Sequence, residues 1–518
     1  MAPHHPRRRL LQGLYEICAW TVAEQSLRPL PGSIWGFRPG RQALDVVGAL
    51  AWGFRRAAEW DQELYLASLD VEGAFDAMRA ELLGAELEQR GAPASAVEAI
   101  LAEMVGMEVT TQFAGSSAPP FFPRRGARQG GPKSPAAWNN FVAGKIEDLE
   151  RSWGDDPAIK WVDVPELQRA GLFVWADNLF VVSDSWDKLC VRLREVEAKF
   201  GELDLRFSTS SLEVLASPAG AARPRAPARF ADGRAFTEKD AIVLLDIKID
   251  SRASTDTMLQ HRLAAARAMW TRVGGMLANR RLPWTERARR MYTSVGASLL
   301  WGAGIWTLSQ NLQNKISAQE TRWLRWLSGH VRATDVEASW QDWLRRTKAE
   351  VHRLRRQAEL RSLWQRACAA VFTWHGHLAR KPRSEAHAAA LWMAWRDQKW
   401  WETVQLFGDG FGEGRSWRHT RNNWQRPSER ALFDWDSEWH SWAEDRVFWK
   451  GRQHDFEKFC NRRWRGPVGV YKAATETDGR SEQAARPPTI GDEIRRLQGL
   501  LNDHLEVHRR RAKRRRVS

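Results

Sequence analysis

The stretch that most constrains this chain is Leu172-Phe173-Val174-Trp175-Ala176-Asp177-Asn178-Leu179-Phe180-Val181-Val182. Two apolar runs, rich in β-branched and aromatic residues, flank a short polar tip, which is the pattern of a buried β-hairpin. Such a turn lifts Asp177 out of an apolar sheet and fixes its carboxylate. A carboxylate held that way is costly unless it meets a cation. A second segment has the same character: Leu64-Tyr65-Leu66-Ala67-Ser68-Leu69-Asp70 is an apolar strand ending in an acid. Singly, each acid reads as an ordinary strand-end turn or helix N-cap. On neighbouring strands, the pair has the means to share a divalent metal.

Between them lies Gly126-Ala127-Arg128-Gln129-Gly130-Gly131-Pro132-Lys133-Ser134-Pro135-Ala136-Ala137-Trp138-Asn139-Asn140. Three segments carry a family likeness in their order: Leu69-Asp70-Val71-Glu72-Gly73-Ala74-Phe75-Asp76, then Ala127-Arg128-Gln129-Gly130 through Ser134-Pro135, then Trp175-Ala176-Asp177-Asn178. Together they resemble the palm of a reverse transcriptase of the non-LTR (LINE-like) retrotransposon type. Upstream, Trp35-Gly36-Phe37-Arg38-Pro39-Gly40-Arg41 resembles that family's fingers signature. Downstream, Leu300-Trp301-Gly302-Ala303-Gly304-Ile305-Trp306-Thr307-Leu308 and Trp374-His375-Gly376-His377-Leu378-Ala379-Arg380 resemble its thumb and post-thumb landmarks. The resemblance runs over residues 10–381.

The resemblance implies an α+β right-hand polymerase fold, with fingers and an antiparallel-sheet palm followed by a helical thumb and a Trp/Arg-rich, mostly helical extension. Its expected divisions are partial fingers over 1–60, palm over 61–255, thumb over 256–345 and a Trp-rich extension over 346–472. A linker, a short amphipathic helix and a basic tail fill 473–518. It also implies RNA-directed DNA polymerisation: dNTPs are added to a DNA primer's 3′-hydroxyl on an RNA template. Two Mg²⁺ ions roughly 4 Å apart would serve the nucleophile and the leaving pyrophosphate, with Mn²⁺ a possible substitute. Asp70, Asp177 and the Val71 carbonyl are the implied metal ligands, and Asn178 holds the second acidic position of the catalytic turn. Phe75 matches the steric gate against a 2′-hydroxyl. Arg38 and Arg41 match the basic residues that clamp a triphosphate, and Gln129 matches the residue that meets the nucleotide sugar. Gly126 and Gly130 let the backbone come close to a ligand. Glu72 and Asp76 read as solvated acids at a helix start.

Three departures bear on activity. Asn178 replaces an acid and removes one formal negative charge from the site. Ser211, in Phe207-Ser208-Thr209-Ser210-Ser211, stands where the family places a lysine that protonates pyrophosphate. The fingers read as short and without a preceding endonuclease, so the expectation is a truncated element. A rival expectation is a polymerase-derived nucleic-acid-binding protein whose catalysis is impaired.

Composition points to the same partners. A net charge of +16 and a pI near 10.1 favour a polyanion, nucleic acid first. No apolar run approaches the roughly 20 residues of a membrane span, so no membrane partner is expected. The N-terminus lacks the apolar core of a signal peptide. Cys18, Cys190, Cys368 and Cys460 form no CxxC pair, which excludes a zinc knuckle or a disulfide framework. The expectation is an intracellular, nuclear protein, and the sequence indicates no oligomeric state. Of 30 tryptophans, 21 lie from Trp270 onward. Exposed indoles suit base stacking, but for any single tryptophan biased composition is the simpler account; Trp175 stands where the family carries Tyr or Phe.

Local patterns add detail. A helix is expected over 10–27, with a stripe of Leu11, Leu14, Ile17 and Val22. Another covers 96–105, capped by Ser95 with Glu98. A strand follows near 109–113, a helix from Pro135, a helix after Ser185 or Asp184 with the stripe Leu189, Leu193, Val196 and Phe200, and one strand over 241–249. Residues 256–345 read as helical, with Arg262, Arg267 and Arg272 as nucleic-acid contacts. His375 and His377 lack cysteines at metal spacing and read as structural. Ile494, Leu497, Leu501 and Leu505 form the amphipathic helix; the arginine run from Arg509 to Arg516 reads as a nuclear-import or RNA-binding arm.

Overall fold

The two acid-bearing runs become neighbouring strands of one sheet in the computed structural model. Residues 6–105, 112–113, 116–117, 119–120, 125–127, 131–154, 156–162, 164–330, 339–382, 384–385, 430–436 and 438–463 are described. The sheet has the order β4-β5-β1-β6-β7, built from β1 (Tyr65–Asp70), β4 (Leu172–Trp175), β5 (Asn178–Ser183), β6 (Glu213–Ala216) and β7 (Thr237–Glu238). Within it β6 and β7 pair in parallel and the other neighbours antiparallel. Two small antiparallel ribbons accompany it: β2 (Gln112–Phe113) with β3 (Ser116–Ser117), and β8 (Ala241–Leu244) with β9 (Ile247–Asp250). No helix among the described residues is long and apolar enough to cross a membrane.

Alternation explains why the central strands read as unbroken apolar runs. Leu66, Phe173, Phe180 and Val182 face one core, shared with the helix Ala43–Glu59 and the helices after residue 255. Tyr65, Ala67, Leu69, Leu172, Val174, Leu179 and Val181 face the other, shared with the helices Ser134–Trp153 and Trp186–Gly201. A sheet covered on both faces has no polar side to display. The second of those helices follows its pattern: Ser185 caps it by accepting from the Lys188 N–H, and Leu189, Leu193, Val196 and Phe200 are fully buried.

Several expectations need correction. The first helix, Pro6–Glu24, forms, but Leu14, Ile17 and Val22 are exposed; Ala19, Trp20 and Ala23 make its buried contact instead. A single bulky Trp20 beside two alanines offers a closer fit than the aliphatic stripe. The helix expected at 96–105 spans Ala94–Val105, with the Ala96 and Val97 N–H groups donating to the Pro93 carbonyl, so Ser95 lies inside it and caps nothing. The single strand expected over 241–249 is the β8–β9 hairpin. Leu245 and Asp246 turn it in left-handed conformation, φ 48° and 65°. Two non-glycine residues at positive φ are costly, and Arg262 pins them by donating to the Asp246 carbonyl at 3.0 Å and its carboxylate at 2.5 Å.

The chain divides into two units, Met1–Trp464 and Arg465–Ser518. The linker, amphipathic helix and arginine tail lie in the second, outside the described residues. In the first, the regular elements among the described residues from 255 onward are all helices, and several tryptophans there are core: Trp306, Trp364, Trp374, Trp439 and Trp449 are buried. Gly376 has a packing reason, because a Cβ there would fall inside the Trp449 indole.

Candidate active site

Antiparallel register brings the strand-end acids together. Asp70 is the partner of Asn178 across β1 and β5, with Leu69 opposite Leu179 and Ser68 opposite Phe180. Facing residues on antiparallel strands have Cα atoms about 4.5–5.5 Å apart and project to the same side. Asp70 and Asn178 thus share the face that carries Leu66, Phe180 and Val182. Asp177 sits in the two-residue turn between β4 and β5, where Ala176 takes φ 54°. Beyond the strand end, the Val71 N–H donates to the Asp177 carbonyl at 2.9 Å, so the turn is stitched to the Asp70 strand.

The electrostatics match that geometry. Burial, and then the neighbouring Asp177 carboxylate, push the Asp70 carboxyl above its ordinary range. The Asn178 amide answers part of the turn's charge by donating to an Asp177 carboxylate oxygen at 3.1 Å. Two partly exposed acids and one amide therefore meet at the end of an apolar sheet. Among the described residues no group of three or more His, Cys, Asp or Glu side chains is arranged to hold a metal. The donor set at this point is two carboxylates plus carbonyl oxygens. The Val71–Phe207 bridge uses the Glu72 N–H to the Arg206 carbonyl and the Ser208 N–H to the Asp70 carbonyl, so neither of its bonds occupies the Val71 carbonyl.

Ser211 has acquired a structural task. Its hydroxyl accepts from the Asp70 N–H at 3.0 Å and donates to the Ser208 carbonyl at 2.8 Å. A lysine there would lose that short bridge, so the serine fixes the strand end that carries Asp70.

Phe75 lies half-buried on the short helix Ala74–Ala77, between Phe37 at 6.3 Å and Trp138 at 5.7 Å between ring centroids. The Trp138 indole N–H donates to the Ala176 carbonyl at 2.7 Å, and the Asn139 amide donates to the Gly36 carbonyl at 2.9 Å. Gly36 itself admits no side chain: a Cβ would stand 2.5 Å from the Ala176 nitrogen. The Trp35 N–H donates to the Val174 carbonyl at 2.7 Å. The loop at 35–41, the helix Ser134–Trp153 and the acidic turn are thus locked together. Trp138, Asn139 and Phe37 are residues that sequence reasoning left without a role, and Ser211 it marked only as a departure from the family lysine. Their only signal was position, inside segments already singled out.

Arg38 and Arg41 shape their own loop. Arg38 donates to the Pro31 and Ile34 carbonyls at 2.8 and 3.0 Å, and Arg41 to Gly32 and Ile34 at 2.9 and 2.8 Å. Arg41 also lies 4.2 Å from the centre of the Trp35 ring. Burial lowers the pKa of both, and for Arg41 the adjacent Arg38 lowers it further. Gln129 and Gly130 lie outside the described residues. Gly126, at φ 100°, packs on the Asp76 backbone, and its N–H donates to the Met78 carbonyl at 2.8 Å.

Arg262 departs from expectation. It is 3% exposed, and its guanidinium is consumed by Asp246 and the Ser298 carbonyl, the latter at 2.8 Å through Nε. It presents nothing to a nucleic acid; its helical spacing hid an inward orientation. Arg267 and Arg272 are exposed on the same helix, Thr255–Ala278. His375 is buried with Nδ1 2.8 Å from the Val371 carbonyl, and His377 pairs with buried Asp45 at 3.2 Å.

With this geometry in place, residues 10–219 match the family model described as reverse transcriptase (RNA-dependent DNA polymerase). Over this span the chain is reverse-transcriptase-like. The matched span contains both acids, the turn, Phe75 and the loop at 35–41, and its mixed α+β fold is that of the polymerase family. No curated protein matches the chain in sequence. Among solved structures, telomerase from Candida albicans in complex with the TWJ fragment of telomeric RNA matches at TM-score 0.37 and 8% identity, covering 62% of this chain and 59% of that one. Apo telomerase from Candida tropicalis matches at TM-score 0.32 and 9% identity, covering 74% and 60%. The chain spans 43–60% of the length of the telomerase chains it matches.

Proposed function

We propose that this protein is an RNA-directed DNA polymerase of non-LTR retrotransposon origin, acting in the nucleus. The observation that carries the reading is the meeting of Asp70 and Asp177 at one strand end, close enough for the Asp177 charge to help raise the Asp70 carboxyl. Asp70, Asp177 and the Val71 carbonyl would hold divalent cations, Mg²⁺ or Mn²⁺. Bound there, such ions supply charge for the attacking hydroxyl and the leaving pyrophosphate. The chain's own residues do the positioning. Val71 and Ser211 fix the Asp70 strand end, while Trp138, Asn139 and Gly36 fix the turn carrying Asp177. Phe75 would underlie the sugar of a dNTP, and Gln129 and Gly130 are the family's further contacts to the nucleotide. Arg38, anchored through one nitrogen, and Arg41, which also pairs with Glu385 through Nε, offer their remaining N–H groups to a triphosphate. The palm then lies at 61–255 and the thumb at 256–345, with Arg267 and Arg272 on the nucleic acid.

One observation favours a second reading. The Asn178 amide sits on an Asp177 oxygen that a metal would use, and it replaces a third anionic ligand. A hard divalent cation prefers charged oxygen, so a polymerase-derived RNA- or DNA-binding protein with impaired catalysis is the alternative. Primer extension with purified protein on a homopolymeric RNA template decides between them. dNTP incorporation in Mg²⁺ or Mn²⁺ that is lost in Asp70→Asn and Asp177→Asn supports the polymerase. Absence of incorporation in both metals, with RNA binding retained, supports the alternative.

A further inference from the structure

We infer that the cleft between the helices Gln310–Ser328 and Trp340–Gln357 is a binding site for an unpaired nucleotide of a single-stranded nucleic acid, base against indole and phosphate against arginine. The inference shares only the nucleic-acid partner with the reading above and does not depend on catalysis.

The cleft has a volume of ≈ 950 Å³, at the upper end of the roughly 300–1,000 Å³ common for small-ligand sites. Trp326, 47% exposed, and Trp340, 52% exposed, line it, and Trp340 stacks on Trp343 at 5.2 Å and 14°. These indoles differ from the buried tryptophans of the same half, which fill core space. Around them, Arg280, Arg322, Arg345 and Lys348 are exposed, and no carboxylate is among the lining residues described. Aromatic faces rimmed by cations suit a base and its phosphate together. A base inside a duplex keeps its faces on its neighbours, so the indoles select an unpaired one.

The floor is built, not incidental. Arg325 donates to the Thr347 hydroxyl at 2.9 Å and to the Leu344 carbonyl at 2.7 Å, with its guanidinium 5.5 Å from the centre of the Trp343 ring. Buried Arg287 donates to the Leu277 and Leu327 carbonyls at 3.1 and 2.9 Å, tying the helix that carries Trp326 to its neighbours. Of the neighbouring acids among the described residues, Asp342 accepts from Arg345 at 3.2 Å, and Glu350 lies 3.4 Å from His330. His352, 3.0 Å from the cleft residue Thr321, is pushed down to about 4 by burial first and then by Arg355, Lys348, Arg356 and Arg325. Among the described lining residues, every formally charged side chain is a cation.

The test uses the full chain and reads binding alone. A short single-stranded oligouridine carrying 5-iodouracil is irradiated with the protein, and cross-linked peptides are mapped by mass spectrometry. In parallel, affinity for the same oligonucleotide and for its duplex is followed by fluorescence anisotropy. We expect cross-links on Trp326, Trp340 or Trp343. The Trp340→Ala/Trp343→Ala variant should lose about 5- to 100-fold in single-strand affinity, the range of one lost stacking contact, with duplex affinity unchanged. Trp340→Phe/Trp343→Phe should restore most of it. Cross-links confined elsewhere, an alanine variant that binds normally, or equal loss on single strand and duplex would each overturn the inference. A protein inactive in primer extension still answers the question.

Discussion

Substituting Gly48 with alanine pits a local rule against a packing constraint. Gly48 lies inside the helix Ala43–Glu59, where alanine is intrinsically better by about 1 kcal/mol. A Cβ there would meet Trp374 Cζ2 at 2.5 Å and Cη2 at 2.6 Å, and Ile305 Cγ2 at 3.2 Å. The indole has nowhere to go. Its N–H donates to Asp45 Oδ1 at 3.1 Å, and behind it a Cβ on Gly304 would stand 2.8 Å from Trp374 Cβ. Asp45 is fully buried and also accepts from the Gln42 N–H at 2.9 Å. Overpacking costs about 1–3 kcal/mol, and losing a hydrogen bond to the buried carboxylate costs about 1.5–3 kcal/mol more. Net of the propensity gain, Gly48→Ala should destabilise by roughly 1.5–5 kcal/mol. Urea unfolding followed by circular dichroism measures it. With Trp374→Ala in place the wall is gone, and the same substitution should be neutral or stabilising by up to about 1 kcal/mol. Equal cost in both backgrounds, or no cost in the natural protein, refutes the claim that this indole is locked between two helices.

The site supports three further expectations. The folded Asp70 carboxyl titrates above its unfolded value, so the folded state binds more protons in that window, and stability falls as pH rises from the ordinary carboxyl range through the raised value. Asp70→Asn should therefore be more stable than the natural protein at neutral pH without divalent cations, with the gap narrowing on acidification; a less stable variant at neutral pH contradicts the charge pairing. Asn178→Asp places a third carboxylate opposite Asp70, so the metal-free protein should melt lower while less Mg²⁺ is needed for dNTP incorporation, and Mn²⁺ should partly substitute in the natural protein; identical Mg²⁺ titrations for both would remove residue 178 from the metal site. Ser211→Ala removes the acceptor for the Asp70 N–H and should cost about 1–3 kcal/mol with a larger fall in incorporation than in RNA binding, whereas an unchanged urea midpoint would show that water replaces the hydroxyl.

What was legible in the sequence is what periodicity and order encode. Both acid-bearing strands, the turn and the helix after Ser185 follow from runs and caps that act within a few residues. The β8–β9 hairpin was hidden because its turn, Leu245-Asp246, has none of the glycine or asparagine that usually marks positive φ; its stability comes from Arg262, a partner distant in the chain. The same fact removed Arg262 from the nucleic-acid surface. Spacing places an arginine on a helix, and only the fold decides whether it points to solvent. Leu14, Ile17 and Val22 fail for the converse reason, since three aliphatic residues at helical spacing yield to one Trp20 between small neighbours.

The supporting residues were illegible on different grounds. Trp138 touches the acidic turn, and Asn139 the loop packed on it, through single hydrogen bonds to backbone carbonyls, and a carbonyl carries no sequence signal. Any residue at 176 presents one, so only the donor is specified, and a lone Trp among many reads as core. Gly36 reveals its role only through the 2.5 Å separation a Cβ would have from the Ala176 nitrogen. Ser211 goes further, because its departure from the family pattern reads as loss when seen in sequence. In the structure that serine holds the backbone of the residue whose carboxylate the site needs, at 3.0 Å from the Asp70 nitrogen. Where the family resemblance leads one to expect a lysine, this serine supplies a fixed strand end. Whether the exchange preserves chemistry is the question that separate effects of Ser211→Ala on incorporation and on RNA binding would answer.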